Sequence, residues 1–105
     1  MICTLTARRL KPGAYDEFRA AWEATYTTHD EARRWSRIYH ARDLTDPDTV
    51  VSFGLFEGTA DELRATQASM SGNTAGHLIT PYVVTTLLDG AYEVIEELTP
   101  STDMP

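Results

Sequence analysis

The chain has 105 residues, sixteen of them acidic and nine basic, for a formal charge of -7; that length suits one domain with one core and is too short for two. The acidic balance repels phosphate backbones and anionic lipid surfaces, which argues against nucleic acid or membrane as partners. A single cysteine, Cys3, rules out an intramolecular disulfide and a cysteine-based zinc cluster. With neither a basic start followed by an apolar run nor a stretch of ~18 apolar residues, the expectation is a cytoplasmic protein.

In chain order, Ile2 to Arg9 alternates Ile2, Thr4 and Thr6 with Cys3, Leu5 and Ala7, the period of a strand. Lys11-Pro12-Gly13 breaks it. Asp16 and Glu17 then place negative charge where a helix dipole favours it, and Phe18, Ala21, Trp22 and Thr25 recur at helical spacing, predicting a helix over about 13–28 with Phe18 and Trp22 inward. A second strand is expected from Trp35 to Asp43, with Trp35, Arg37, Tyr39 and Ala41 on one face and Ser36, Ile38, His40 and Arg42 on the other.

Leu44-Thr45-Asp46-Pro47-Asp48 carries turn chemistry, so a hairpin leads into a third strand, Thr49 to Glu57. Its two faces are Val51, Phe53, Leu55 and Val50, Ser52, Gly54, Phe56. Thr59 and Glu62 have the spacing of a capping box. A second helix therefore begins at Thr59, with Leu63, Thr66 or Gln67, and Met70 inward, and ends at Ser71-Gly72-Asn73. Thr80-Pro81 resembles a helix start, which favours a short helix over about 81–88, although Tyr82-Val83-Val84-Thr85-Thr86 has the composition of a strand. Asp89-Gly90 reads as a turn and Ala91 to Leu98 as the last strand. Residues 1–98 would then form one domain and 99–105 a loose tail.

The order β-α-β-β-α-(α)-β is the split βαβ arrangement of a ferredoxin-like α+β fold, a four-stranded antiparallel sheet with both main helices on one face. Large apolar residues occupy the other face in either register, so a second copy of the chain is the expected cover. The Lys11-Pro12-Gly13 turn before an aromatic-bearing helix, the Asp43-Leu44-Thr45-Asp46-Pro47 hairpin and the apolar third strand feeding a capped helix together resemble the dimeric α/β-barrel superfamily over roughly residues 2–98. Its members include cofactor-free antibiotic-biosynthesis monooxygenases, haem-degrading monooxygenases and small stress-responsive proteins. The monooxygenase type often carries Glu-x-Trp in the third strand and a histidine in the helix after it. Here the strand reads Gly54-Leu55-Phe56, and Glu62 to Met70 has no histidine.

The resemblance implies a homodimer and, as the leading reading, a cofactor-independent oxidoreductase acting on an aromatic or polycyclic small molecule. A non-catalytic ligand-binding or stress-related dimer and a haem-degrading enzyme remain as alternatives. A cofactor-free oxygenase needs a group to take a proton from an electron-rich phenol or quinol and donors to stabilise the anion.

Trp35, Arg37 and Tyr39 form the densest polar-aromatic cluster, to be weighed against packing at a sheet or dimer interface. His77, Asn73 and Tyr82 lie where loops close over pockets. His77 could be a base or a haem ligand, or a surface histidine. His40 could be a pocket base or a hydrogen-bonded core histidine, and Trp22 with Tyr26 either a pocket wall or core. The candidates are therefore His77, Arg37 and His40 for catalysis and Trp22, Trp35, Tyr39, Asn73 and Tyr82 for substrate. The three histidines lack metal-ligand spacing, so no metal is called for, and the leading reading of the resemblance implies no cofactor.

Overall fold

A computed structural model describes residues 1–27, 33–71 and 78–100, the side chains of 25–27, 70 and 71 apart. Its elements are β1 (Ile2–Leu10), α1 (Tyr15–Thr27), β2 (Trp35–Arg42), β3 (Thr49–Phe56), α2 (Ala60–Ser71) and β4 (Val83–Glu93), the last entered through a single 3-10 turn at Thr80–Tyr82. The strands form one antiparallel sheet in the order β2-β3-β1-β4. This is the expected ferredoxin-like α+β fold.

Local chemistry explains most boundaries. Gly13 takes a positive φ of 72°, a region that costs glycine little, and its amide donates to Asp48 Oδ1 at 3.1 Å. In the β2-β3 hairpin, Asp46 accepts from the Asp48 amide and from the Thr49 hydroxyl at 2.7 Å, the side-chain turn chemistry that sets the loop. The capping box forms as the spacing predicts: the Glu62 amide donates to Thr59 Oγ1 at 3.2 Å and the Thr59 amide to Glu62 Oε1 at 3.0 Å. Of the expected α2 stripe, Leu63 and Thr66 are buried and Gln67 is exposed.

Both helices cover the face of the sheet that carries Ile2, Leu10, Val50 and Phe56. The core lies there in two clusters, Ile2-Phe56-Leu63 with Trp35 beside it, and Leu10-Phe18-Val50 flanked by Tyr15, Trp22, Ile79, Tyr82 and Val83. Each fully buried Leu, Val or Phe adds about 1.5–3 kcal/mol. The opposite face carries the cross-strand neighbours Leu5, Phe53 and Tyr39, Ala7, Val51 and Leu88, and Cys3, Leu55 and Tyr92. No described element covers it.

The structure corrects several expectations. The second strand does not keep Trp35 on the side of Arg37 and Tyr39, because a bulge at Ser36 lets Trp35 pair with Phe56 while Arg37 pairs with Leu55. One extra residue reverses the sidedness of everything before it. The helix over 81–88 is likewise replaced. Only the 3-10 turn survives from the Thr80-Pro81 start, and β4 runs unbroken through Asp89-Gly90.

The β1 edge supplies hydrogen-bond partners for the β-branched run Val83 to Thr86, and tertiary pairing outweighs the local helix signal. Gly90 is accommodated inside the strand because the Tyr92 ring lies over it, with the hydroxyl 2.6 Å from where a Cβ would sit. Residues 94–98 are not strand, although the Val94 amide donates to the Met1 carbonyl at 3.0 Å. No described helix is long and apolar enough to cross a membrane.

Candidate functional site

Tyr15, Phe18 and Trp22 stand at i, i+3 and i+7 on α1, so they share the face turned to the sheet. The β2-β3 register sets His40 opposite Ser52, on the same side. The His40 ring is consequently enclosed edge-on by Trp22 at 4.8 Å, Phe18 at 5.9 Å and Tyr15 at 6.4 Å between centroids. Its Nδ1 lies 2.7 Å from the Ser52 hydroxyl. Nε2 has no hydrogen-bond partner among the described residues.

Cations surround this aromatic cluster. The Arg8 guanidinium lies over the Trp22 ring at 5.4 Å and Arg42 over Tyr15 at 5.3 Å, contacts in which the ring faces attract positive charge. Arg8 also donates to the Thr6 hydroxyl at 2.8 Å, which donates in turn to the Ser52 carbonyl at 3.5 Å. Arg19 pairs with Glu23 one turn on at 3.4 Å, both well exposed, so the pair itself adds little to stability.

Arg19, Trp22, Glu23, Ile38 and His40 line an open recess of about 220 Å³ between α1 and β2. Burial, then Arg19 and Arg8, push the His40 pKa below its ordinary 6.5, because both desolvation and positive neighbours disfavour imidazolium. The imidazole is neutral at pH 7.

Of the described residues singled out from sequence, the structure brings His40 and Trp22 together and places Trp35, Arg37 and Tyr39 elsewhere. Trp35 belongs to the other core cluster. It packs against Phe56 at 4.9 Å, and its Nε1-H donates to Thr4 Oγ1 at 3.0 Å. Tyr39 is 43 % exposed on the uncovered face and stacks on Phe53 at 4.9 Å. Arg37 shares that face, on the far side of the sheet from His40.

Tyr82 is half-buried against the Leu10-Phe18-Val50 cluster, and its carbonyl accepts from the Lys11 amide. It does not line the recess. His77 and Asn73 lie outside the described residues, as does the side chain of Tyr26. The sequence reading missed Arg8, Arg19, Glu23, Ile38 and Ser52. The hairpin register, counted outward from Asp46, would have set Ser52 opposite His40. Nothing local marks Arg8 or Arg19, which reach the site only through packing. Among the described residues no group of three or more His, Cys, Asp or Glu is arranged to hold a metal ion.

Sequence comparison finds no family model that matches the chain and no match among curated proteins. Structural comparison does find relatives of the fold. SnoaB, a cofactor-independent oxygenase from Streptomyces nogalater, superposes with a TM-score of 0.72 at 16% identity, covering 92% of this chain and 95% of its own. A protein of Chloroflexus aurantiacus assigned to the antibiotic biosynthesis monooxygenases gives 0.69 at 14% identity over 93% and 96%. A NIPSNAP domain protein of Burkholderia xenovorans gives 0.67 at 12% over 94% and 99%. The split βαβ order, the helix-covered sheet face and these superpositions agree: the chain has the ferredoxin-like fold that these proteins share.

Proposed function

We propose that the recess between α1 and β2 binds a small aromatic molecule through one of its oxygens and that the protein is a cofactor-independent oxygenase of that molecule. The observation that carries this reading is the neutral His40, ringed by three aromatic side chains and flanked by Arg8 and Arg19. Trp22 and His40, the two rings in the lining, hold a flat ring. The guanidiniums favour an ionised oxygen on it, the imidazole hydrogen-bonds that oxygen, and the released proton leaves through the open mouth.

The electron-rich anion then reacts with dioxygen. One oxygen atom becomes a new carbonyl on a ring carbon that carried one hydrogen, and the other leaves as water with that hydrogen and a proton regained from solvent, the substrate supplying all four electrons. The likeness to SnoaB supports the reaction class. The recess is smaller than the ~300–1,000 Å³ of sites for drug-sized ligands, so one or two fused rings suit it better than a larger polycycle.

The test is oxygen uptake by purified protein, without added metal or flavin, over a panel of one- and two-ring quinols and phenols. Enzyme-dependent uptake that falls at least tenfold in His40→Gln and in Arg19→Gln supports the reading. Binding without uptake would leave a non-catalytic ligand-binding protein, and neither binding nor uptake would end the proposal.

We further infer that a second copy of the chain covers the open sheet face. Four strands about 4.8 Å apart and eight residues long at ~3.3 Å each present roughly 500 Å² of flat sheet before side-chain relief and rim are added, close in scale to the ~800 Å² per partner of a stable interface. A two-fold pair would bury the same apolar patch on both copies. Light scattering at micromolar concentration should give twice the chain mass; a monomeric mass would refute it.

A further inference from the structure

Ser52 lies on an inner strand of the sheet, 3 % exposed. Its hydroxyl carries one hydrogen, so it can give that hydrogen to His40 Nδ1 or accept one from it. Among the described residues this hydroxyl has no partner besides the 2.7 Å contact with Nδ1. The Ser52 carbonyl is already engaged by the Thr6 hydroxyl, itself held by Arg8. Were Nδ1 to carry the hydrogen, the serine hydrogen would be left in the sheet without an acceptor, which buried hydroxyls avoid. With the serine donating, the buried donor is satisfied and the single hydrogen of the neutral ring sits on Nε2.

We infer that Ser52 is a positioning residue that holds His40 as the Nε2-H tautomer, so that the recess meets a hydrogen-bond donor, not a base, and takes an acceptor oxygen: the phenolate, enolate or carboxylate oxygen of a small aromatic ring. The inference rests on the recess being the substrate site and deepens that reading.

The other groups around His40 agree with it. Arg8 comes from β1, Arg19 and Glu23 from α1, and Arg42 reaches the cluster over Tyr15. Three of these four are cationic donors, and the one carboxylate is already paired with Arg19. Serine, unlike an aspartate in the same place, adds no charge that would stabilise imidazolium. On this inference His40 acts as a donor, where the sequence offered it as a pocket base or a hydrogen-bonded core histidine.

The test is long-range 1H-15N correlation of the histidine rings in the full chain at pH 7.5, with His40 assigned by its loss in His40→Gln. The expected spectrum shows Nδ1 unprotonated and Nε2 protonated. In Ser52→Ala the ring should drift to a mixture of tautomers, and Ser52→Thr, which keeps the hydroxyl, should restore the single form. A protonated Nδ1 in the wild-type chain overturns the inference even if the variants do not fold, and so do ring signals unmoved by Ser52→Ala.

In parallel, 4-nitrophenol is titrated and its coloured phenolate followed. Binding should shift its ionisation to lower pH, with affinity at least threefold weaker in Ser52→Ala. A locked Nε2-H tautomer with no 4-nitrophenol binding would sink the acceptor-oxygen specificity and count against the substrate site while leaving the role of Ser52 standing.

Discussion

The two ends of the helix-covered sheet face use similar parts to opposite effect. At one end Trp35 sits close against Gly54, sends its Nε1-H to Thr4 and packs on Phe56, with Arg34 over the same Phe56 ring at 5.1 Å and joined to Glu62 at 2.6 Å. At the other, Trp22 stands edge-on to His40 beneath the guanidinium of Arg8, and space remains. The difference lies in what sits under the tryptophan. Gly54 has no side chain, so Trp35 can approach the strand closely and close that end, whereas at the other end Trp22 meets the His40 ring edge-on and an open recess remains between α1 and β2. An aromatic-cationic cluster becomes a site when its polar atoms still face solvent, and becomes core when they are all used.

That contrast can be broken most severely at Phe18, which is fully buried and forms the floor beneath His40. Phe18→Ala should cost about 3–5 kcal/mol, read from urea unfolding; a cost under ~1 kcal/mol would mean that the open end is loosely packed. At the closed end, a Cβ on Gly54 would come within 2.7 Å of Trp35 Cδ1 and 3.2 Å of Ile38 Cγ1. Gly54→Ala should therefore displace Trp35 and cost about 1–3 kcal/mol, with a change in tryptophan emission.

A gentler change, Trp35→Phe, removes the hydrogen bond to Thr4 and should cost about 1 kcal/mol. It should leave ligand binding at the recess intact, and loss of binding would contradict the separation of the two ends.

The smallest effects are in the pH dependence, and they separate the ends. Hydrogen bonds from Arg34 and from the Thr59 amide and hydroxyl hold the Glu62 carboxyl at about 2, below its ordinary 4.5. The unfolded chain thus takes up that proton first, so the contribution of Glu62 is full above pH 4.5 and fades as the pH falls toward 2. The thermal stability gap between the wild-type chain and Glu62→Gln should close over that window.

His40 acts in the same sense at higher pH. Its folded pKa lies below 6.5, so acid stabilises the unfolded chain progressively below pH 6.5. His40→Gln should remove this first acid-sensitive phase and keep the second; identical profiles for wild type and both variants would refute the assignment.

Much of this architecture is written locally. The helical spacing of Phe18 and Trp22, the Asp46 turn and the reciprocal Thr59-Glu62 cap each need only a few neighbouring residues, and each forms as the spacing implies. His40 and Trp22 were legible as candidates because a histidine in an alternating strand and an inward aromatic on a helix are locally marked. The grouping of Trp35 with Arg37 and Tyr39 failed at one bulged residue, Ser36, which no composition signal announces.

By itself, then, the sequence determined the order and type of the first five elements, the turn and cap chemistry between them, and the alternation within β1 and β3. Tertiary structure alone decided that Val83 to Gly90 joins the last strand in place of a helix and a turn, since its backbone bonds are completed by β1. It also decided that Trp35 seals one end, and that Arg8, Arg19 and Ser52 converge on His40 at the other. Capping and periodicity act over a turn or a pleat, whereas register, sidedness and electrostatic neighbours are set by residues far apart in the chain, and only folding brings those together.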